Sequence, residues 1–367
     1  MTQSDASHGD GAPEWASYHL FYHADGNRLL SGMILPAVRE LWLRRRVSSF
    51  FFIRYPLGGP HVRLRLLCPP GAQREVEDLL TARAMDFFRR WPSSSHLDQE
   101  AIREHNRRLA ASDPGARDEI DAVYPDNSIV RLPFRPEVER YGGAPLISFS
   151  LAFFAVSSAC VLRCLSLHGE ERKSRLLAWA ARLLLRQAIG SAADGEDLAH
   201  LVAYAVPSEP GGLSTVLDRA DAELDRSSEA YRLLLREELG GARRRGASPS
   251  LEGYSLTEAA RRLAFCIRGA SAASRGRILS SQLHMTANRL GINTVEEAYL
   301  GRILARAVRD LSRARPALFK RLRDARMEHD GREDSGLEEL AGASLADLFA
   351  PSHGGNRAAS SIRGVTA

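Results

Sequence analysis

Gly58-Gly59-Pro60-His61-Val62-Arg63-Leu64-Arg65-Leu66 alternates apolar and polar residues directly after a Gly/Pro turn. Strand side chains alternate with a period of two, so Val62, Leu64 and Leu66 share one face and Arg63 and Arg65 the other. Before the turn runs Ser48 to Tyr55, apolar and rich in aromatics, which makes the pair a hairpin. Further upstream, Trp15 to Tyr22 reads as a strand with Tyr18, Leu20 and Tyr22 on one face. Asp25-Gly26 is a turn, and Asn27 is placed to cap a helix running to about Arg44. Downstream, Pro69-Pro70-Gly71 opens a helix to about Arg90, and a charged helix covers 97–111. Asn127 to Phe134 is a strand that can complete the sheet. The order begins as a ferredoxin-like split unit.

Arg135 to Gly143 holds a proline, two glycines and several charges, the composition of an ordered turn. After Pro145 the pattern is almost wholly helical, with helices near 146–168, 170–190, 194–206, 213–240, 255–267, 274–290 and 293–313. The expected fold class is α+β: a ferredoxin-like antiparallel sheet packed against a C-terminal helical region. The expected boundaries are a disordered N-terminus over 1–14, a sheet region over 15–145, a helical region of the same domain over 146–345, and a flexible tail over 346–367.

At 367 residues, length alone allows two or three domains. The net charge is +5 and the pI about 9.2, too mild to mark a nucleic-acid binder. Of 50 basic residues only Lys173 and Lys320 are lysines, leaving 48 arginines, most expected on a solvated surface. Cys68, Cys160, Cys164 and Cys266 form no C-x-x-C pair, so neither a metal site nor a disulfide framework is expected. Met1 to Glu14 lacks the apolar core of a signal segment. Leu146 to Leu167 is apolar but contains Ser148, Ser150, Ser157, Ser158 and Arg163, which favours a buried core helix over a membrane span. The expected compartment is a reducing bacterial cytoplasm.

Two guanidiniums side by side on a strand suit a carboxylate, which each can grip with two parallel hydrogen bonds. A second stretch, Ser281-Gln282-Leu283-His284-Met285-Thr286-Ala287-Asn288-Arg289-Leu290, puts a lone His and an Arg on a helix. Each signal alone has a plainer explanation. Arg63 and Arg65 fit a solvent-facing strand. Glu137-Val138-Glu139-Arg140 fits a surface ion pair worth under about 1 kcal/mol. His284 fits a core histidine.

Their joint occurrence decides otherwise. The chain resembles the small C-terminal domain of class I lantibiotic dehydratases, in its stand-alone form from thiopeptide biosynthesis. The resemblance rests on Trp15-Ala16-Ser17-Tyr18-His19-Leu20-Phe21-Tyr22, Phe51-Phe52-Ile53-Arg54-Tyr55, Pro60 to Arg65, Pro136-Glu137-Val138-Glu139-Arg140-Tyr141-Gly142-Gly143 and His284 to Leu290. Five ordered motifs cover most of the chain. The resemblance implies a reaction: a partner protein transfers glutamate from glutamyl-tRNA to Ser and Thr of a precursor peptide, and this domain eliminates it to leave dehydroalanine or dehydrobutyrine. By motif, the catalytic positions fall on Arg63, Arg65, Glu137, Arg140 and His284. Ser281, Arg289 and Tyr141 are expected to contact the substrate. Neither a cofactor nor a metal is expected, because glutamate departs as a carboxylate.

The implied partners are the precursor peptide, with its leader and modified core, and the glutamylating protein. No direct nucleic-acid or membrane contact is expected, and a homodimer stays open. A sister branch uses the same scaffold for a [4+2] cyclisation that builds a pyridine and expels the leader. The retained His284 and arginine set favour elimination over that reaction. A non-catalytic docking subunit that binds a peptide along a sheet edge is a third reading. RNA binding ranks last, since no basic stripe is interleaved with aromatics.

Overall fold

The structure, a computed structural model, describes residues 12–94, 97–112, 122–168, 173–209, 211–241, 251–320, 322 and 336–349. The chain divides into two compact units, Met1–Arg135 and Pro136–Ala367. The division lies ahead of the expected boundary at 145, because the turn at Pro136 to Gly143 packs on a helix of the second unit. The expected N-terminal segment and tail fall mostly outside the described residues. Of their ends, Glu14 already belongs to a strand and 346–349 to a helix.

The first unit runs β1 (Glu14–Phe21), α1 (Gly26–Leu29), a π-helical turn (Leu30–Ile34), α2 (Leu35–Leu43), β2 (Ser49–Tyr55), β3 (His61–Cys68), α3 (Gln73–Arg90), α4 (Gln99–Ser112) and β4 (Ser128–Arg131). The strands form an antiparallel sheet in the order β2-β3-β1-β4, the ferredoxin-like arrangement expected. The helix after β1 is capped by Asp25 rather than Asn27, since the Asp25 side chain accepts from the Asn27 N–H at 2.9 Å. Asn27 is left to receive Arg54 at 2.5 Å. The π turn has a local cause. Pro36 has no N–H to return to the preceding turn, and Leu35 N–H reaches back to Leu30 O instead.

Alternation sorts the sheet's faces. Ala16, Tyr18, Leu20, Phe50, Phe52, Val62, Leu64 and Leu66 lie on one face, all buried. Helices α2 and α3 pack on each other and bury Val38, Leu41, Val76, Leu80, Phe87 and Phe88. Tyr22, the next residue on that face, meets Phe87 at 5.3 Å.

The second unit is helical: α5 (Ala144–His168), α6 (Lys173–Ser191), α7 (Gly195–Val202), α8 (Ser214–Gly241), α9 (Leu251–Cys266), α10 (Ala272–Leu290), α11 (Thr294–Ala314) and α12 (Leu337–Phe349). Within α5, the stretch Ala144–Ser166 is long and apolar enough to cross a membrane. Here it packs against α9, α10 and α12, with Phe153, Ala155, Val156, Val161 and Leu162 fully buried. Its charged residue, Arg163, donates to the Asp347 carbonyl in the last turn of α12 at 2.8 Å. The expectations contain no helix at α12. Its Gly- and Ala-containing sequence carries little amphipathic signal, and it forms by packing on α5 and α9. Buried charge also fixes helix pairs. Glu238 of α8 receives both Arg182 (2.5 Å) and Arg186 (2.7 Å) of α6.

Helices α6 and α9 approach closely because residue 190 is glycine. A methyl group there would overlap the Thr257 carbonyl oxygen and lie 2.8 Å from Ala260 Cβ. Gly190→Ala should therefore cost about 1–3 kcal/mol or more, seen as a fall of several degrees in Tm. Gly240→Ala, with nothing within 4 Å of the added methyl, should leave Tm unchanged or raised. Equal Tm values for the two variants would contradict this packing.

Candidate active site

The first group of expected site residues stands on the second face of the sheet. Register puts Arg63 opposite His19 and Ile53, and Arg65 opposite Ser17 and Phe51. This face is not a plain solvent face: Arg65 is only 6% exposed and His61 5%. The Arg65 guanidinium lies 5.4 Å over the Phe134 ring, beside Trp15 and Phe51, which meet at 5.2 Å. Cation–π contact and stacking are what an arginine tolerates when taken out of water.

Arg63 is set by its neighbours in sequence. The turn before β3 needs positive φ at Gly58 (80°) and Gly59 (118°), which glycine adopts at no steric cost. A Cβ on Gly59 would also lie 2.7 Å from His23 Nε2. The Gly59 carbonyl accepts from His61 Nδ1 at 2.8 Å, and this fixes the tautomer. His61 Nε2 is then an acceptor and takes the Arg63 Nε–H at 3.2 Å. The Arg63 guanidinium stacks on Tyr55 at 3.7 Å. Burial pushes the His61 imidazole down to about 3, with Arg63 and Arg65 adding to the shift. His19 is held still further below the ordinary histidine range, by burial first and then by Arg65. Both rings are neutral, and the charge on this face belongs to the arginines.

The second group lies in the second unit. His284, on α10, donates from Nδ1 to the carboxylate of Glu297, at 3.0 Å to Oε1 and 2.9 Å to Oε2. Glu297 is 1% exposed and also receives the Tyr204 hydroxyl at 2.6 Å. A carboxylate only accepts, so Nδ1 carries a proton, and Nε2 of this partly exposed ring meets no partner among the described residues. This is the arrangement of a base oriented by a third group. Burial and the neighbouring Glu297 charge keep the Tyr204 hydroxyl protonated.

Glu137 and Arg140 form an exposed ion pair at 2.9 Å. Their turn is held to α10 by Tyr141, whose hydroxyl and that of Ser281 share a hydrogen bond at 2.9 Å. Ser281 and His284, three residues apart, are neighbours on the helix surface. The turn and the histidine are therefore brought together. Tyr141, Ser281 and Arg289, expected to contact substrate, are instead 4%, 7% and 0% exposed. Arg289 donates to Ser157 Oγ at 3.3 Å and lies 4.7 Å over Phe154. Burial lowers its guanidinium to about 9. In this arrangement these three hold α10 and the turn in place from beneath, because their polar ends face the helical core.

Glu297 and Tyr204 are absent from the sequence expectations. Glu297 had a signal: it is an acid on the buried stripe of α11, in register with Leu300, Gly301, Leu304 and Val308. Tyr204, just after α7, had none.

A protein-family model described as "Lantibiotic biosynthesis dehydratase C-term" matches residues 15–308. Among solved structures, the chain is similar to the pyridine synthase TbtD from thiomuracin biosynthesis (TM-score 0.66, 18% identity). That match covers 82% of this chain and 99% of the other. It is also similar to the tRNA-dependent lantibiotic dehydratase MibB from Microbispora sp. 107891 (TM-score 0.56, 21% identity), covering 86% of this chain and 29% of that one. The chain thus spans less than a third of MibB. At these identities the likeness is one of fold. Among curated protein sequences none matches.

The neutral histidines make stability pH-dependent. In the unfolded chain His61 titrates near 6.5, and in the folded one near 3. Between those values the unfolded state binds a proton that the folded state refuses, so stability falls as pH drops below about 6.5. The slope approaches about 1.4 kcal/mol per pH unit for each such histidine. Tm measured from pH 7 to pH 5 should decline, and His61→Gln should flatten the decline. An identical profile in the variant would show that His61 takes up its proton equally well in the folded and unfolded chain.

Proposed function

The chain belongs to the lantibiotic biosynthesis dehydratase C-terminal family, and on that premise we propose that it eliminates glutamate from glutamylated Ser and Thr of a ribosomal precursor peptide. The products are dehydroalanine or dehydrobutyrine and free glutamate. The observation that carries this reading is His284, held in one tautomer by the buried Glu297–Tyr204 pair with Nε2 free. Elimination needs a base for the α-proton of the modified residue. Nε2 takes that proton, the electron pair becomes the Cα=Cβ bond, and the Cβ–O bond breaks to release glutamate as a carboxylate. Glu297 fixes the ring and gives the transferred proton a counter-charge.

The arginines supply the fixed positive charge. Arg63 and Arg65 suit the side-chain carboxylate of the glutamyl group, through paired hydrogen bonds. Arg140, poised by Glu137, suits the charge that develops on the enolate or the leaving group. In this reading the substrate arrives already glutamylated, and the transfer of glutamate is a separate, earlier reaction.

A second reading is a pyridine synthase, which joins two dehydroalanines and releases the leader. It is favoured by one observation, the structural alignment with nearly the whole chain of the pyridine synthase TbtD.

The two readings differ in substrate. Purified protein should be given a glutamylated peptide and, separately, a fully dehydrated one, and the products weighed. Elimination predicts a mass loss of glutamate from the first and no change in the second. His284→Ala should then slow the loss by roughly 10²–10⁴, and Arg65→Ala or Arg140→Ala by about a hundredfold or more, with circular dichroism unchanged. Pyridine formation with leader release from the dehydrated peptide, and an untouched glutamylated peptide, would replace the first reading by the second.

A further inference from the structure

Two buried polar side chains of the first unit have no part in the chemistry above. Ser17 and His19 are neighbours on the arginine-bearing face of β1, and each is 2% exposed. Ser17 Oγ and His19 Nε2 meet no hydrogen-bond partner among the described residues. Buried polar atoms are nearly always satisfied, so a pair of exceptions on one strand face calls for an explanation.

Their position supplies one. Across the β1–β3 pairing Ser17 faces Arg65 and His19 faces Arg63. Ser17 stands between Trp15 and His19 on that face, a small side chain opposite the longer Arg65. The His19 ring is held in place by stacking on His61, with centroids 5.0 Å apart and planes 20° apart. His19 is neutral, so its Nε2 can donate a hydrogen bond without adding charge beside the arginines.

We propose that Ser17 and His19 complete, with Arg63 and Arg65, a subsite for a carboxylate. The inference rests on the elimination reading, in which that group is the free carboxylate of the glutamyl side chain. A carboxylate offers about four acceptor positions. The arginines bring charge and donors, while the hydroxyl and the imidazole bring neutral donors that fix how the group sits.

The test uses the full chain with ¹⁵N-labelled histidine and two probes, glutarate and its uncharged counterpart glutaramide. Glutarate should shift the His19 Nε2 resonance and glutaramide should not. Ser17→Ala and His19→Phe should each weaken glutarate binding about tenfold, the effect of one hydrogen bond to a charged group. His19→Gln, whose amide N–H reaches near the Nε2 position, should bind within about threefold of wild type. Ser17→Ala should melt no lower than wild type, because it removes an unsatisfied hydroxyl. With glutamylated peptide, these losses should appear as a raised KM at little-changed kcat. If His19→Phe does not fold, Ser17→Ala and His19→Gln still decide the matter. Failure of wild type to bind glutarate, or wild-type affinity in Ser17→Ala and His19→Phe, would overturn the subsite and leave the two groups to an ordered water. Glutamate release by wild type alongside silent variants would sink the subsite alone. No glutamate release, with glutarate binding that still depends on Ser17 and His19, would sink the elimination reading and keep the carboxylate subsite.

Discussion

The antiparallel pairing of β1 with β3 decides which side of the sheet every polar group of the first unit occupies. Side chains alternate, so a slip of one residue would carry Arg63 and Arg65 into the layer now filled by Leu64 and Leu66. Tyr18 and Leu20 would then share their layer with the two guanidiniums. The register is held by the apolar face, where Tyr18, Leu20, Phe52 and Leu64 are almost fully buried. The cost of misplacing that face is hydrophobic and large, roughly 1.5–3 kcal/mol for each side chain. The polar face is thus positioned by residues that take no part in its chemistry. Arg65 sits against aromatic rings at 6% exposure because the strand leaves it no other side to take.

In the second unit a different constraint operates, that of charge inside a helical core. Arg163, on the long apolar helix, reaches a carbonyl at the end of α12, where the helix dipole is negative. Glu297 lies in the first turn of α11, where the dipole is positive, and collects donors from both Tyr204 and His284. Each buried charge thereby ties together segments far apart in sequence. Residue 297 can orient residue 284 because α10 ends at Gly291, in the left-handed conformation at φ 80°, and the chain turns back at once into α11. The capping box of Asn293 and Glu296 fixes where that second helix begins. Local caps therefore set the geometry of the histidine.

Much of this was legible in the sequence, for physical reasons that differ from element to element. The sheet was legible because His61 to Leu66 alternates after a glycine turn, with the apolar, aromatic-rich run Ser48 to Tyr55 before it. The helices of the second unit up to α11 were legible because their apolar periodicity is long, and α12 was not. The cap at Asp25 was misassigned to Asn27, since both residues can cap and the sequence does not say which faces the free N–H groups. Arg63, Arg65, Arg140 and His284 were singled out by motif. Their surroundings were not, because no local pattern records that His61 accepts from Arg63 or that Tyr204 reaches Glu297. Tyr141, Ser281 and Arg289 belong to the same motifs, yet lie beneath the surface. A motif marks residues that act together and does not separate those that touch a ligand from those that hold the others still.

The histidines of the chain show how environment divides labour within one residue type. His19 and His61 lie on a strand face that also carries two guanidiniums, and burial with those charges keeps both rings neutral. Such imidazoles are fixed hydrogen-bonding groups and poor proton carriers, because the charged form has nowhere favourable to sit. His284 has the opposite surroundings, a buried carboxylate on one nitrogen and an exposed edge on the other. A proton that arrives at its Nε2 meets a negative partner across the ring. In the proposed elimination, anion recognition requires positive charge that does not move, and the reaction requires a proton that does. Arginines beside neutral histidines suit the first and a histidine paired with an acid suits the second, so the chemistry open to each imidazole follows from what lies next to it.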